Sequence, residues 1–127
     1  MTAGARTGLV GARLAERTRA NERFFAAESE RLARLCHRMA ERFARGGRLI
    51  ALGVAGADRS DARHVAVEFV HPVIVGKRAL PALALPRSAL ALEVEPDDIV
   101  LEFAGDVTIC GETFSPPTSD PFIRQEL

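Results

Sequence analysis

The sequence predicts an α/β layer in which a parallel sheet is flanked by helices and preceded by a long N-terminal helical arm. Three observations carry that expectation. A stretch rich in Ala, Leu, Arg and Glu runs from about Thr7 to Arg45 and stops at Gly46-Gly47; a short, continuously apolar run, "RLIALG", follows; a glycine turn then opens a second helical segment. The expected order is helix, strand, glycine turn, helix.

In the arm, Phe25, Leu32, Cys36, Met39 and Phe43 recur at helical spacing, with Leu9, Val10 and Leu14 forming a weaker stripe before them. Asn21 could cap a break between two helices, or the arm could run through with a kink. Glycine at 46 and 47 supplies the left-handed stop. The run Arg48–Gly53 has the pattern of a parallel strand covered on both faces. The turn "GVAGADRS" leads to a helix from about Ser60 or Asp61 to Val70, ended by Pro72. Ala79–Leu85, Asp97–Phe103 and Val107–Cys110 read as three further strands, the first weakened by Pro81. "FSPPTSDP" reads as a loop, and Asp120-Pro121 as the entry to a short last helix. Residues 1–127 are expected to form one domain, with an arm over 7–45 and an α/β core over 48–127.

Bulk composition narrows the function. A chain of 127 residues, 47% hydrophobic, is long enough to bury roughly two thirds of its unfolded surface in one core. Lys plus Arg balances Asp plus Glu at 17 each, so no overall field draws the chain to nucleic acid or an anionic membrane. All but one of the Lys and Arg positions are arginine, which suits forked recognition of carboxylates and phosphates but equally reflects codon composition. Cys36 and Cys110 lie far apart without metal-type spacing, arginines interrupt every hydrophobic stretch, and no leader pattern opens the chain. A soluble, cytoplasmic protein without nucleic-acid or membrane partners is expected.

Two constellations could carry chemistry. The glycine turn places backbone N–H groups and a helix N-terminus at the carboxyl edge of the sheet, a position that favours anions; alternatively Gly53 and Gly56 only permit a tight connection. In "DARHVAVEFVHP", His64 and Glu68 stand four apart and share a helical face. They could form an acid/base or ligand pair, or bond each other on a helix flank or at a subunit contact. Arg59 and Arg63 could clamp an anion, opposed by Asp58 and Asp61 in the same turn. His71 reads as a charge partner at the helix end, and His37 lies on the arm beside Cys36; neither belongs to a metal pattern.

Taken together, "ARGGRLIALG", the glycine turn, "SDARHVAVEFV" and "KRALPALAL" resemble the sugar isomerase (SIS) domain family, closest to its phosphoheptose (sedoheptulose 7-phosphate) isomerase branch, over roughly Leu9 to Leu85. The resemblance implies a three-layer parallel-sheet fold, assembly as a dimer or tetramer through N-terminal helices, and a small phosphosugar bound between subunits. It makes Glu68 the base in aldose–ketose exchange through an enediol and His64 its acid partner. Some members hold zinc on this pair, and Gln125 of the "QE" following "DPFIR" would be a third contact. The implied phosphate set is Gly53, Gly56, Arg59, Ser60 and Asp61.

The departures from the family are specific. Its turn reads glycine, asparagine, two glycines and a serine that helps hold phosphate; here "GVAGADRSDA" is one residue longer, with Ala57 and Asp58 in the serine's place and Ser60 as the only substitute. A second phosphate loop rich in serine and threonine is replaced by "AGD", where Asp106 would repel phosphate. Segments containing helices after the second and third strands, and the catalytic histidine of the last helix, find no counterpart. The fold is therefore expected to be incomplete. Three functions stay open: an isomerase acting as an oligomer, a noncatalytic module that binds a phosphosugar or a protein, and one half of a split isomerase whose partner chain completes the site.

Overall fold

The computed structural model describes residues 2–89 and 94–115. Contacts among them fall into two units, residues 2–33 and residues 34–115. Helix α1 spans Ala3–Ala44, and Asn21 lies inside it without breaking it. In the first unit, Thr2 Oγ1 accepts the Ala5 N–H at 3.2 Å, satisfying one of the first-turn donors that a helix leaves open. The Thr7 and Thr18 hydroxyls donate to the carbonyls of Ala3 and Leu14, both at 3.0 Å, so these polar side chains are accommodated within the helix. Leu9, Val10, Leu14 and Phe25 are exposed.

The second unit begins within α1 and turns sharply where that helix ends. Gly46 at φ +89° takes the left-handed conformation, its N–H bonding Phe43 O at 3.0 Å, and the Gly47 N–H bonds Arg42 O at 2.9 Å. Gly47 answers a different constraint: a Cβ there would lie 2.1 Å from the Asp97 carbonyl oxygen. The chain continues through β1 (Leu49–Gly53), α2 (Gly56–Val70), β2 (Ala82–Ala84), a single 3-10 turn at Arg87–Ala89, β3 (Ile99–Ala104), β4 (Asp106–Ile109) and β5 (Glu112–Phe114). The sheet order is β2-β1-β3-β4-β5.

β1 pairs in parallel with β2 and β3, as its apolar run predicts, and all five of its residues are buried. The expectation of a parallel sheet fails beyond β3: β4 and β5 are antiparallel, so the sheet is mixed. Backbone conformation explains the reversal. Gly105, at φ +80°, turns β3 directly into β4, with Ala104 paired to Asp106. Cys110 and Gly111, at φ +51° and +80°, then form the two-residue connection that brings Glu112 opposite Ile109. Two successive positive φ values mark the hairpin turn whose twist matches its strands. β5 is not among the strands expected from sequence, because cysteine replaces the Asn or Asp that usually announces such a turn. The expected first strand after α2 shortens to three residues that start just past Pro81, whose carbonyl accepts the Leu49 N–H at 2.9 Å.

The helices described in this unit cover one sheet face. Leu49, Ile99 and Leu101 form the buried cluster, against which Met39 and Phe43 of α1 and Val65 and Phe69 of α2 pack; the Phe43 and Phe69 rings stack at 5.8 Å. Ala62 and Ala66 are the buried residues of α2, small enough to bring its backbone close to the strands. Of the three layers the resemblance implied, two are present among the described residues, because only the 3-10 turn is helical between β2 and β3 there.

One carboxylate ties the amino ends of β1 and β3 to the end of α1. Asp98, its side chain 1% exposed, accepts the Arg48 N–H at 2.9 Å and the Arg48 guanidinium through Nε at 3.2 Å and Nη2 at 2.7 Å. It also accepts the Glu95 N–H at 2.9 Å, while its own carbonyl accepts Arg42 Nη1 at 2.8 Å. The forked geometry and the backbone donors compensate for desolvating the charge. The Arg48 hydrogen bond is the largest cause of a carboxyl pKa lowered to about 2, with the backbone donors of Glu95 and Arg48 reinforcing it against burial. Because the folded value lies below the unfolded one, the stabilisation is complete above about pH 4 and is lost as pH falls through about 2. The shift corresponds to about 2 kcal/mol. Denaturant titrations at pH 7 and pH 2 should show this loss in the native sequence and not in Asp98→Asn, whereas Asp98→Ala should lower stability at pH 7 by about 3–5 kcal/mol.

Candidate functional site at the carboxyl edge of the sheet

β1 delivers the chain to the sheet's carboxyl edge at Gly53, where a Cβ would stand 2.3 Å from the backbone of Asp58 and Arg59. The first turn of α2 therefore folds directly over this glycine. Val54 N–H bonds Phe103 O at 3.2 Å, fixing the turn to the end of β3. Ala55 is the N-cap residue, extended at φ −90° and ψ 174°, and its side chain has no acceptor. Asp58 instead closes the turn from within the helix, its Oδ2 accepting the Ala55 N–H at 3.2 Å. This closure lets α2 start at Gly56, earlier than the Ser60 or Asp61 expected from sequence.

The same contact changes what the turn can bind. A helix N-terminus attracts anions through unpaired N–H groups and its dipole, by about 0.3–1 kcal/mol at an exposed site. The Asp58 carboxylate already occupies that first turn and opposes a second anion. Space about Gly56 is open, since a Cβ there would meet nothing within 4 Å, but Arg59, Ser60 and Asp61 are exposed and Ser60 lies in the second turn, beyond the unpaired amides. At the end of β3 the chain reverses at Gly105 into β4, so Asp106 starts a strand and no strand-to-helix loop faces the turn.

His64 and Glu68 do meet: Nε2 and Oε1 are 3.4 Å apart on the face of α2 away from the buried Ala62 and Ala66. In the single chain that face is open, the side chains being 76% and 48% exposed. His37 and Glu41 on α1 form the same i,i+4 contact at 3.2 Å. The contact alone is thus an ordinary helix-surface feature worth a few tenths of a kcal/mol. Its chemical interest depends on what joins it. Arg63 is exposed on α2, and Gln125 lies outside the described residues.

A zinc ion on this pair would have His64 Nε2 and Glu68 Oε1 as two donors and would need others to complete a tetrahedral shell. Among the described residues no three His, Cys, Asp or Glu side chains are gathered to hold a metal ion. The residues described do not make a zinc site by themselves.

The fold and these positions define an α/β domain built on a β1–α2–β2 unit, with the glycine turn at the carboxyl end of β1 and the His64–Glu68 pair on the outward face of α2. Comparison with known proteins gives that class a more particular relationship. The chain is 36% identical over 91 residues to the phosphoheptose isomerase of Desulfovibrio desulfuricans, covering 72% of this chain and 43% of that protein. It is 34% identical over 90 residues to the phosphoheptose isomerase of Solidesulfovibrio magneticus, covering 71% and 44%, and 33% identical over 87 residues to that of Nitratidesulfovibrio vulgaris, covering 68% and 41%. This is a partial SIS-type, phosphoheptose isomerase-like relationship; the chain spans less than half the length of these curated relatives. No protein-family model and no solved structure matches the chain. No helix among the described residues is long and apolar enough to cross a membrane.

Replacing Asp58 by Asn keeps an acceptor for the Ala55 N–H and removes the charge. Asp58→Asn should bind inorganic phosphate about 5-fold more tightly, the equivalent of ~1 kcal/mol at a helix N-terminus, followed through the Gly56 and Ala57 amide resonances. Unchanged affinity would mean that another group governs the turn.

Proposed function

We propose that the chain is a phosphosugar isomerase-like domain in which Glu68 and His64 perform aldose–ketose exchange on a phosphoheptose. The single observation carrying this reading is the placement of that pair, at 3.4 Å on one face of the helix that follows β1, in a chain similar to phosphoheptose isomerases. Glu68 as carboxylate removes a proton from the carbon next to the carbonyl, giving an enediol, and returns it to the neighbouring carbon. His64 gives and takes the proton exchanged between the two oxygens. Both groups face outward, so a second copy of the chain, or a partner chain, supplies the opposite wall and excludes water. The apolar exposure of Leu9, Val10, Leu14 and Phe25 supports assembly through the N-terminal helix.

A second reading has its own support. The Asp58 carboxylate at the helix start and the reversal at Gly105 leave the phosphate end of such a substrate poorly held, which favours a module that binds a sugar or a protein without turnover. Incubating the purified protein with sedoheptulose 7-phosphate separates the two. The isomerase reading expects turnover that falls by about 100-fold to 10,000-fold in Glu68→Gln; absence of turnover in both proteins, with the sugar phosphate still bound, leaves the binding module. Turnover equal in both would remove Glu68 from the reaction.

A further inference from the structure

At the sheet edge opposite the glycine turn, the second unit holds a cavity of about 560 Å³ that the proposed isomerisation does not use. It lies where the last turns of α1 and the end of α2 meet the segment entering β2. Met39 and Phe43 form its α1 side, Phe69 its α2 side, and Leu80 and Pro81 its floor; Arg78 is the only charged residue in the lining. The volume falls within the range of small-molecule pockets, which combine a mainly apolar wall with few orienting polar groups.

The charge of the lining selects among apolar ligands. Arg78 is exposed and makes no ion pair or hydrogen bond with a described residue, unlike Arg38, Arg45, Arg48 and Arg87, which bond Glu112, Asp97, Asp98 and Glu102. No acidic side chain lines the cavity. A guanidinium at the rim of an apolar wall matches a carboxylate that ends an apolar body, because forked N–H donors fit both carboxylate oxygens while the body displaces water from Met39, Phe43 and Phe69.

We propose that this cavity binds an apolar monocarboxylate, with Arg78 holding the carboxylate and the apolar wall of Met39, Phe43, Phe69 and Leu80 taking the chain or ring. The site is separate from His64 and Glu68, neither of which lines it, so its occupation does not depend on the isomerase reading. Ala40, an exposed lining residue on α1, offers a steric control: Ala40→Trp fills the cavity without removing a core side chain.

The probe is n-decanoate, with n-decanol as its uncharged counterpart, titrated below micelle formation into the full chain by calorimetry and by displacement of a fluorescent apolar anion. Saturable decanoate binding is expected, weakened at least 10-fold by Arg78→Glu and abolished by Ala40→Trp, with decanol weakened by Ala40→Trp alone. Circular dichroism of both variants controls for folding. Three results would overturn the proposal: no saturable decanoate binding, binding indifferent to Arg78→Glu, or a dimer that Ala40→Trp dissociates in a protein that takes up no decanoate. The last would assign the cavity to a second copy of the chain.

Discussion

Asp98 is the constraint on which the sheet depends. Its carboxylate gathers the Arg48 and Glu95 amides and the Arg48 guanidinium, while its carbonyl takes Arg42 from the end of α1. The end of α1, the entry to β1 and the entry to β3 are thereby fixed together at the amino ends of β1 and β3. The next bond of the ladder, from Ile99 N–H to Arg48 O at 2.8 Å, starts the parallel register that runs to Gly53 and Phe103. Register matters because a one-residue slip would turn Leu49, Ile99 and Leu101 away from the helices that cover them. A buried charge is a costly way to set register, and it succeeds here because every direction from the carboxylate meets a donor.

From that anchor the geometry of the other edge follows. β1 carries the chain to Gly53, the first turn of α2 closes over it, and Ala62 and Ala66 hold α2 against the strands. His64 and Glu68 then have to point outward, since the helical period gives the inward positions to Ala62, Val65, Ala66 and Phe69. An outward pair has chemical use only with a second wall. The functional reading therefore depends on assembly, and the similarity to phosphoheptose isomerases bears on the first alone.

Much of this was legible in the sequence where one physical pattern dominates. The apolar run at Leu49–Gly53 and the double glycine at 46 and 47 announce a buried strand after a capped helix, and Pro72 announces the end of α2. What was not legible depended on backbone geometry or on contacts that only the folded turn makes. Asp58 accepts the N–H of the N-cap residue Ala55, a closure visible only once the turn is folded. Cys110 adopts a positive φ that sequence preference would assign to Asn or Gly, so β5 and the antiparallel half of the sheet were hidden. Asp98 sits in "EPDDIV" beside Asp97, and nothing in that pair tells which carboxylate is buried and which merely meets Arg45 at the surface.

The three histidines allow the proposed role of His64 to be tested in one spectrum, because His37 forms with Glu41 the same contact that His64 forms with Glu68 but lies on the other helix. Imidazole resonances followed by NMR during titration with sedoheptulose 7-phosphate report which pair belongs to a site. A saturable shift of His64 with His37 unmoved is expected if the pair on α2 meets the sugar. A spectrum in which His64 stays fixed, or in which both histidines drift together, would contradict that role.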